Sequence, residues 1–170
     1  VWTSPITFVA SANSALYCGA SVDFVDIDFQ TNNISISALK DKLEIARLSN
    51  CLPAVVIPVH IGGACCDMES IYELSQEYGF KIIEDASHAI GGSYNNSKIG
   101  STIFSDITVF SFHPVKIITT GEGGAALTND KAILERLLLL RSHGITRDPE
   151  QMTHASEGGW YYQQIELGFN

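Results

Sequence analysis

Short apolar runs alternate along the chain with longer stretches whose apolar residues recur every three or four positions. The short runs, at residues 22–27, 54–59, 81–83, 107–112 and 125–128, are rich in Val and Ile or close to continuous in apolar character. That is the pattern of strands covered on both faces. The longer stretches predict four helices. The first covers 8–18 and is closed by Gly19. The second covers 37–48, with Leu39, Leu43 and the apolar positions between Ile45 and Leu48 on one stripe. Asp67 caps a third that runs to Tyr78, with Met68, Ile71, Tyr72 and Leu74 at helical spacing and Gly79 as its stop. Asn129 or Asp130 caps a fourth containing Ile133, Leu137, Leu138 and Leu140. Strands that alternate with helices predict an α/β domain of three layers around a mostly parallel central sheet. No internal repeat or linker interrupts it, and the polar stretch 146–159 reads as a flexible excursion.

Composition narrows the class. The chain has 170 residues, 45% hydrophobic and 17% charged, which excludes a disordered, collagen-like or low-complexity protein. With 19 acidic and 10 basic residues the net charge is −9. Such a chain repels phosphate backbones and anionic lipid, so neither nucleic acid nor a membrane surface is expected as a partner. A local pocket can still hold an anion. No apolar run approaches the roughly 18 residues of a membrane span. Cys18, Cys51, Cys65 and Cys66 form no C-x-x-C pair, and adjacent cysteines ligate one tetrahedral zinc poorly. Free thiols in a reducing, cytoplasmic setting are expected, with no metal. The opening at Val1 and the closing run Glu166-Leu167-Gly168-Phe169-Asn170 read as cuts through a larger protein.

In open α/β sheets ligands bind beyond the carboxyl ends of strands. Two segments there carry chemistry. Glu84-Asp85-Ala86-Ser87-His88-Ala89-Ile90-Gly91-Gly92 sets two carboxylates at a strand end, then a histidine, then glycines that let backbone approach closely. It can also be a polar turn around a solvated carboxylate. Ser111-Phe112-His113-Pro114-Val115-Lys116-Ile117-Ile118-Thr119-Thr120-Gly121-Glu122-Gly123-Gly124 contains the only Lys or Arg between Lys98 and Lys131. Apolar surroundings disfavour an ammonium ion, leaving an amine that is nucleophilic at neutral pH, as a Schiff-base lysine requires. The alternative is a loop lysine that snorkels to solvent. Gly121-x-Gly123-Gly124 is only a weak match to a phosphate loop. An acid at one strand end and a lone lysine past another are the two groups that pyridoxal phosphate needs.

These two segments, with Thr3-Ser4-Pro5-Ile6-Thr7-Phe8-Val9-Ala10 and the closing run, resemble the DegT/DnrJ/EryC1/StrS family of sugar aminotransferases across essentially the whole chain. The resemblance implies a fold type I pyridoxal-phosphate enzyme, with residues 1–170 forming part of its cofactor-binding large domain. A first phosphate-binding loop would lie upstream of Val1 and a small domain beyond Asn170. Lys116 would carry the cofactor as an imine and shuttle the proton. Asp85 would pair with the pyridine nitrogen, and His88 would lie near the phenolic oxygen. Phe8 would stack on the ring, Ser111 would bind the phosphate, and Asn170 would reach the phosphate of a neighbouring subunit in a homodimer with shared sites. His113 and Glu122 are read as structural. Lysine at position 116, where deoxysugar dehydratases of the family carry histidine, implies transamination.

The opening motif and Trp160-Tyr161-Tyr162 are similar to the aminotransferases of pseudaminic acid biosynthesis. The resemblance then implies transfer from glutamate to C4 of a UDP-linked 4-keto-6-deoxy-N-acetylhexosamine. Other nucleotide-linked 4-keto or 3-keto sugars are alternatives. So are a non-catalytic regulator that keeps the cofactor fold and an unrelated α/β binding domain.

Overall fold

In a computed structural model, residues 1–169 are described. The chain divides into two compact units, one ending at Asn129 and one beginning at Asp130. In the first unit the elements are β1 (Trp2–Thr3), α1 (Ala10–Tyr17), β2 (Asp23–Phe24), α2 (Ile36–Leu48), β3 (Val55–Ile57), a 3-10 turn (Ile61–Gly63), α3 (Met68–Tyr78), β4 (Lys81–Asp85), the hairpin β5 (Ser93–Tyr94) and β6 (Ser97–Lys98), β7 (Ile107–Ser111) and β8 (Gly124–Leu127). Six strands form one sheet in the order β2-β1-β3-β4-β7-β8. Neighbours are parallel except for antiparallel β7 and β8.

Strand alternation assigns the layers. Val56 and Ile82 pair in register and share one face. There they join Leu39 and Leu43 of α2 and Ile71 and Leu74 of α3 in the main core. Leu39, Leu43, Ile71 and Ile82 are 1% exposed or less, each contributing about 1.5–3 kcal/mol by burial. Asp85 lies on the opposite face from Ile82 and Glu84, and Ser11 of α1 donates to it. Helix α1 therefore covers the second face, which gives three layers.

The predicted helices form, with ends set by caps. Ser35 accepts from the Ala38 amide and starts α2, and Asp67 accepts from the Ser70 amide and starts α3. Gly79 ends α3 in the left-handed region, at φ +80°, where a Cβ is disfavoured. Helix α1 is shorter than expected, because Val9 before it offers no capping oxygen.

One strand expectation changes and one strand is unexpected. In 22–27 the strand itself is only Asp23–Phe24, both exposed, and Ile27 adds one isolated antiparallel bridge to Ile34. The strand is an edge, and the Asp28 carboxylate gathers the amides of Gln30 and Thr31 into a turn just beyond it. Strand β1 is too short to leave a period, yet it sits inside the sheet. The β5–β6 hairpin turns on Asn95 and Asn96, both at positive φ, as a primed two-residue turn requires.

The second unit holds α4 (Lys131–Leu140), β9 (Ile145–Thr146) and β10 (Gln163–Gln164), the two strands antiparallel. Asp130 caps α4 by accepting from Ala132 and Ile133. The stretch 146–159, expected to be a free excursion, is tied back to buried Gln163. That side chain accepts from the Thr153 amide at 2.8 Å and donates to the His154 carbonyl at 3.3 Å. Among the described residues no helix is long and apolar enough to cross a membrane.

Candidate active site

The carboxyl ends of the parallel strands meet around a cleft of about 400 Å³. Strand β4 delivers Asp85 at its last position and β7 delivers Ser111 at its last. The exit from β1 leads to Thr7 and Phe8, and the β7–β8 connection carries Lys116. Phe8, Asp85, His88, Ser111 and Lys116 all line this one cleft. Asn170 lies outside the described residues.

Asp85 is oriented by two donors. Ser11 Oγ donates to Oδ2 at 2.7 Å and the Ser87 amide to Oδ1 at 3.1 Å. Because Ser11 spends its proton on Asp85, the 2.8 Å contact between Thr7 and Ser11 runs from the Thr7 hydroxyl to Ser11. This relay, Thr7 to Ser11 to Asp85, was not foreseen. Its one sequence signal is the four-residue spacing of two hydroxyls across the start of α1. A carboxylate with two donors keeps lone pairs for a third.

Lys116 is half-buried, between the exposed side chains of Val115 and Ile117. The apolar enclosure expected of it is therefore partial within this chain. Its Nζ makes no hydrogen bond or ion pair among the described residues. The loop is closed at its base: the Phe112 amide donates to Gly123 O at 2.8 Å and the Thr120 amide to Phe112 O at 3.0 Å. A Cβ on Gly124 would lie 2.8 Å from the Phe110 carbonyl. Gly123 and Gly124 thus serve loop closure and tight strand pairing. Gly92 is similar, since a Cβ there would lie 2.8 Å from the Ile99 side chain.

Phe8 is 74% exposed, so it is no core residue and presents its ring to the cleft. Ser111 accepts only a long 3.4 Å contact from the His113 amide, leaving its hydroxyl proton free to donate. His88 is exposed, and its Nδ1 accepts from the Gly62 amide at 3.4 Å. His113 and Glu122, expected to be structural, also line the cleft and are exposed.

Behind the cleft lies a buried polar cluster that the sequence did not announce. Glu84 accepts from His60 Nε2 at 2.9 Å, from Thr108 Oγ1 at 2.8 Å and from Ser105 Oγ. Burial pushes its carboxyl upward, but these donors outweigh it and hold it below the usual glutamate range. Cys65 borders the cluster, and burial, aided by the charges of Glu84 and Asp67, pushes its thiol up to about 12. That leaves it an inert thiol.

Residues 1–170 match the DegT/DnrJ/EryC1/StrS aminotransferase family. The chain belongs to that family. It is 41% identical over 170 residues to the UDP-4-amino-4,6-dideoxy-N-acetyl-beta-L-altrosamine transaminase of Campylobacter jejuni, covering 100% of this chain and 41% of that protein. It is 40% identical over 162 residues to the GDP-perosamine synthase of Caulobacter vibrioides, covering 95% of this chain and 41% of that protein. Among solved structures, Helicobacter pylori PseC, an aminotransferase involved in the biosynthesis of pseudoaminic acid, superposes with a TM-score of 0.83 at 34% identity. The match covers 99% of this chain and 41% of that one. The chain thus spans about two fifths of these relatives, and its fold is that of the family's α/β domain with a mostly parallel central sheet.

Proposed function

We propose that the protein carrying this chain is a pyridoxal-phosphate-dependent aminotransferase that moves an amino group from glutamate to a nucleotide-linked keto-deoxysugar. The observation that carries this reading is the convergence of Asp85 and Lys116, from two different strand ends, on one cleft walled by an exposed aromatic ring. The donor set fits the cofactor: a half-satisfied carboxylate for a ring N–H, a primary amine, an uncommitted hydroxyl and a planar apolar surface.

Pyridoxal phosphate, when bound, supplies an aldehyde for amine exchange and a ring that takes up the electron pair left when a proton departs from carbon. Lys116 Nζ would hold the cofactor and move that proton. Asp85, oriented by Ser11 and the Ser87 amide, would pair with the ring nitrogen. Phe8 would cover one ring face, Ser111 would donate to the phosphate, and His88 would lie near the phenolic oxygen. We propose that a homodimer completes the site. The exposed apolar residues Val115, Ile117 and Ile118 beside Lys116 support an interface there.

The Campylobacter and Helicobacter proteins favour a UDP-linked 4-keto-6-deoxy-N-acetylhexosamine aminated at C4, as in pseudaminic acid biosynthesis. The Caulobacter relative favours a GDP-linked sugar as a second reading. The full-length protein, supplied with cofactor, is expected to show visible cofactor absorbance that glutamate bleaches. Lys116→Ala should abolish the band and reduce turnover by roughly 10²–10⁴-fold. A folded, colourless wild type overturns the reading. Turnover compared across UDP-linked and GDP-linked keto-sugars separates the two substrates.

A further inference from the structure

We infer that the buried Glu84–His60 pair is a positioning element that makes Asp85, and not Glu84, the carboxylate of the cleft and sets His88 beside it. The inference rests on the cofactor reading above. Glu84 and Asp85 are consecutive on β4, so they point to opposite faces, and a one-residue slip would exchange them. Glu84 is 5% exposed, and His60 is fully buried.

The ring of His60 is locked. The Cys66 amide donates to its Nδ1 at 3.2 Å, so its proton sits on Nε2 and goes to Glu84 Oε2 at 2.9 Å. Ser105 and Thr108 complete the carboxylate's partners. The main chain beside His60 holds Asp85 directly. The His60 amide donates to Asp85 O at 3.0 Å, and the Asp85 amide donates to Pro58 O at 2.9 Å. The turn after His60 then reaches His88. Gly62 donates to the His88 ring at 3.4 Å, and a Cβ on Gly63 would lie 2.7 Å from the His88 carbonyl. A hydrophobic pair would fill this space at no desolvation cost. A fully satisfied polar cluster instead specifies one register.

The test uses full-length protein with Glu84→Gln, Thr108→Val and the double variant His60→Gln/Glu84→Gln. The readouts are pyridoxal phosphate affinity by absorbance titration, the pH dependence of the cofactor band, and the melting temperature. In Glu84→Gln the new amide can turn only N–H toward Nε2–H while keeping its carbonyl on Ser105 and Thr108. Cofactor affinity is expected to fall roughly tenfold with a displaced pH midpoint. In the double variant the amide at 60 can turn its carbonyl to the new N–H at 84 but leaves the Cys66 amide without its acceptor, so only part of the loss is recovered. Thr108→Val removes one donor at equal volume and weakens binding about threefold; it carries the test if Glu84→Gln fails to fold. Wild-type affinity with an unmoved pH midpoint in every variant that folds overturns the inference, even where melting temperatures drop. A colourless wild type overturns the functional reading and this inference with it. A coloured wild type with unaltered variants overturns this inference alone.

Discussion

Glu84 and Asp85 are neighbours on one strand with the same functional group, and they live in opposite surroundings. Glu84 looks toward α3, is enclosed, and takes three side-chain donors. Asp85 looks toward α1, borders an open cleft, and takes two donors. The saturated carboxylate can only hold structure, whereas the partly satisfied one has capacity left for a ligand. The difference teaches that burial and donor count, more than residue type, separate a structural acid from a functional one.

The contrast can be broken from either side. The largest effect is expected on the core side. Leu39→Ala leaves a cavity beneath the sheet and should cost about 2–5 kcal/mol of stability, read by denaturant unfolding of the full protein, with cofactor absorbance intact in the fraction still folded. On the cleft side, Asp85→Asn should lower turnover on the order of a hundredfold while changing the melting temperature little. A reversed outcome, with large destabilisation and normal turnover, would make Asp85 the structural acid.

Acid titration sharpens the pair further. The Glu84 carboxyl is held below its ordinary value in the folded state. Its contribution to stability is therefore present above the unfolded value, about 4.3, and is lost as pH falls through the lower folded value. Unfolding measured from neutral pH down to about pH 3 should lose stability over that window, and Glu84→Gln should flatten that part of the curve. A smaller effect is expected from Ser11→Ala. It removes one donor from Asp85 and should weaken cofactor binding about fivefold, measured by the same absorbance titration.

Much of the fold was legible locally. The caps at Asp67 and Asp130, the stop at Gly79 and the stripe of Leu39 and Leu43 act within a few residues and need no tertiary context. Strand β1 was not legible, because two residues carry no period and only its long-range partners make it a strand. The span 22–27 was over-read for the converse reason: an apolar run does not say whether it lies inside a sheet or at its edge. In the site, Asp85, His88 and Lys116 were visible as chemistry at strand ends, and Phe8 and Ser111 entered through the family resemblance. Ser11 was not visible, since its partner is 74 residues away. Gly92 was legible as a place of close approach and Gly124 as part of only a weak phosphate-loop match, but not their neighbours, the Ile99 side chain and the Phe110 carbonyl, because a sequence shows that a Cβ is missing but not what occupies its place.

The sequence by itself determined the alternation of helices and strands, the acidic balance and the two segments able to hold an amine and an acid. Local hydrogen bonding and hydrophobic period decide those features. The family resemblance named Asp85, and the tertiary structure supplied the physical reason that it, and not the adjacent Glu84, meets the cleft. A period of two says that they face opposite ways, and only the packing of α3, His60 and Thr108 against one face says which way is in.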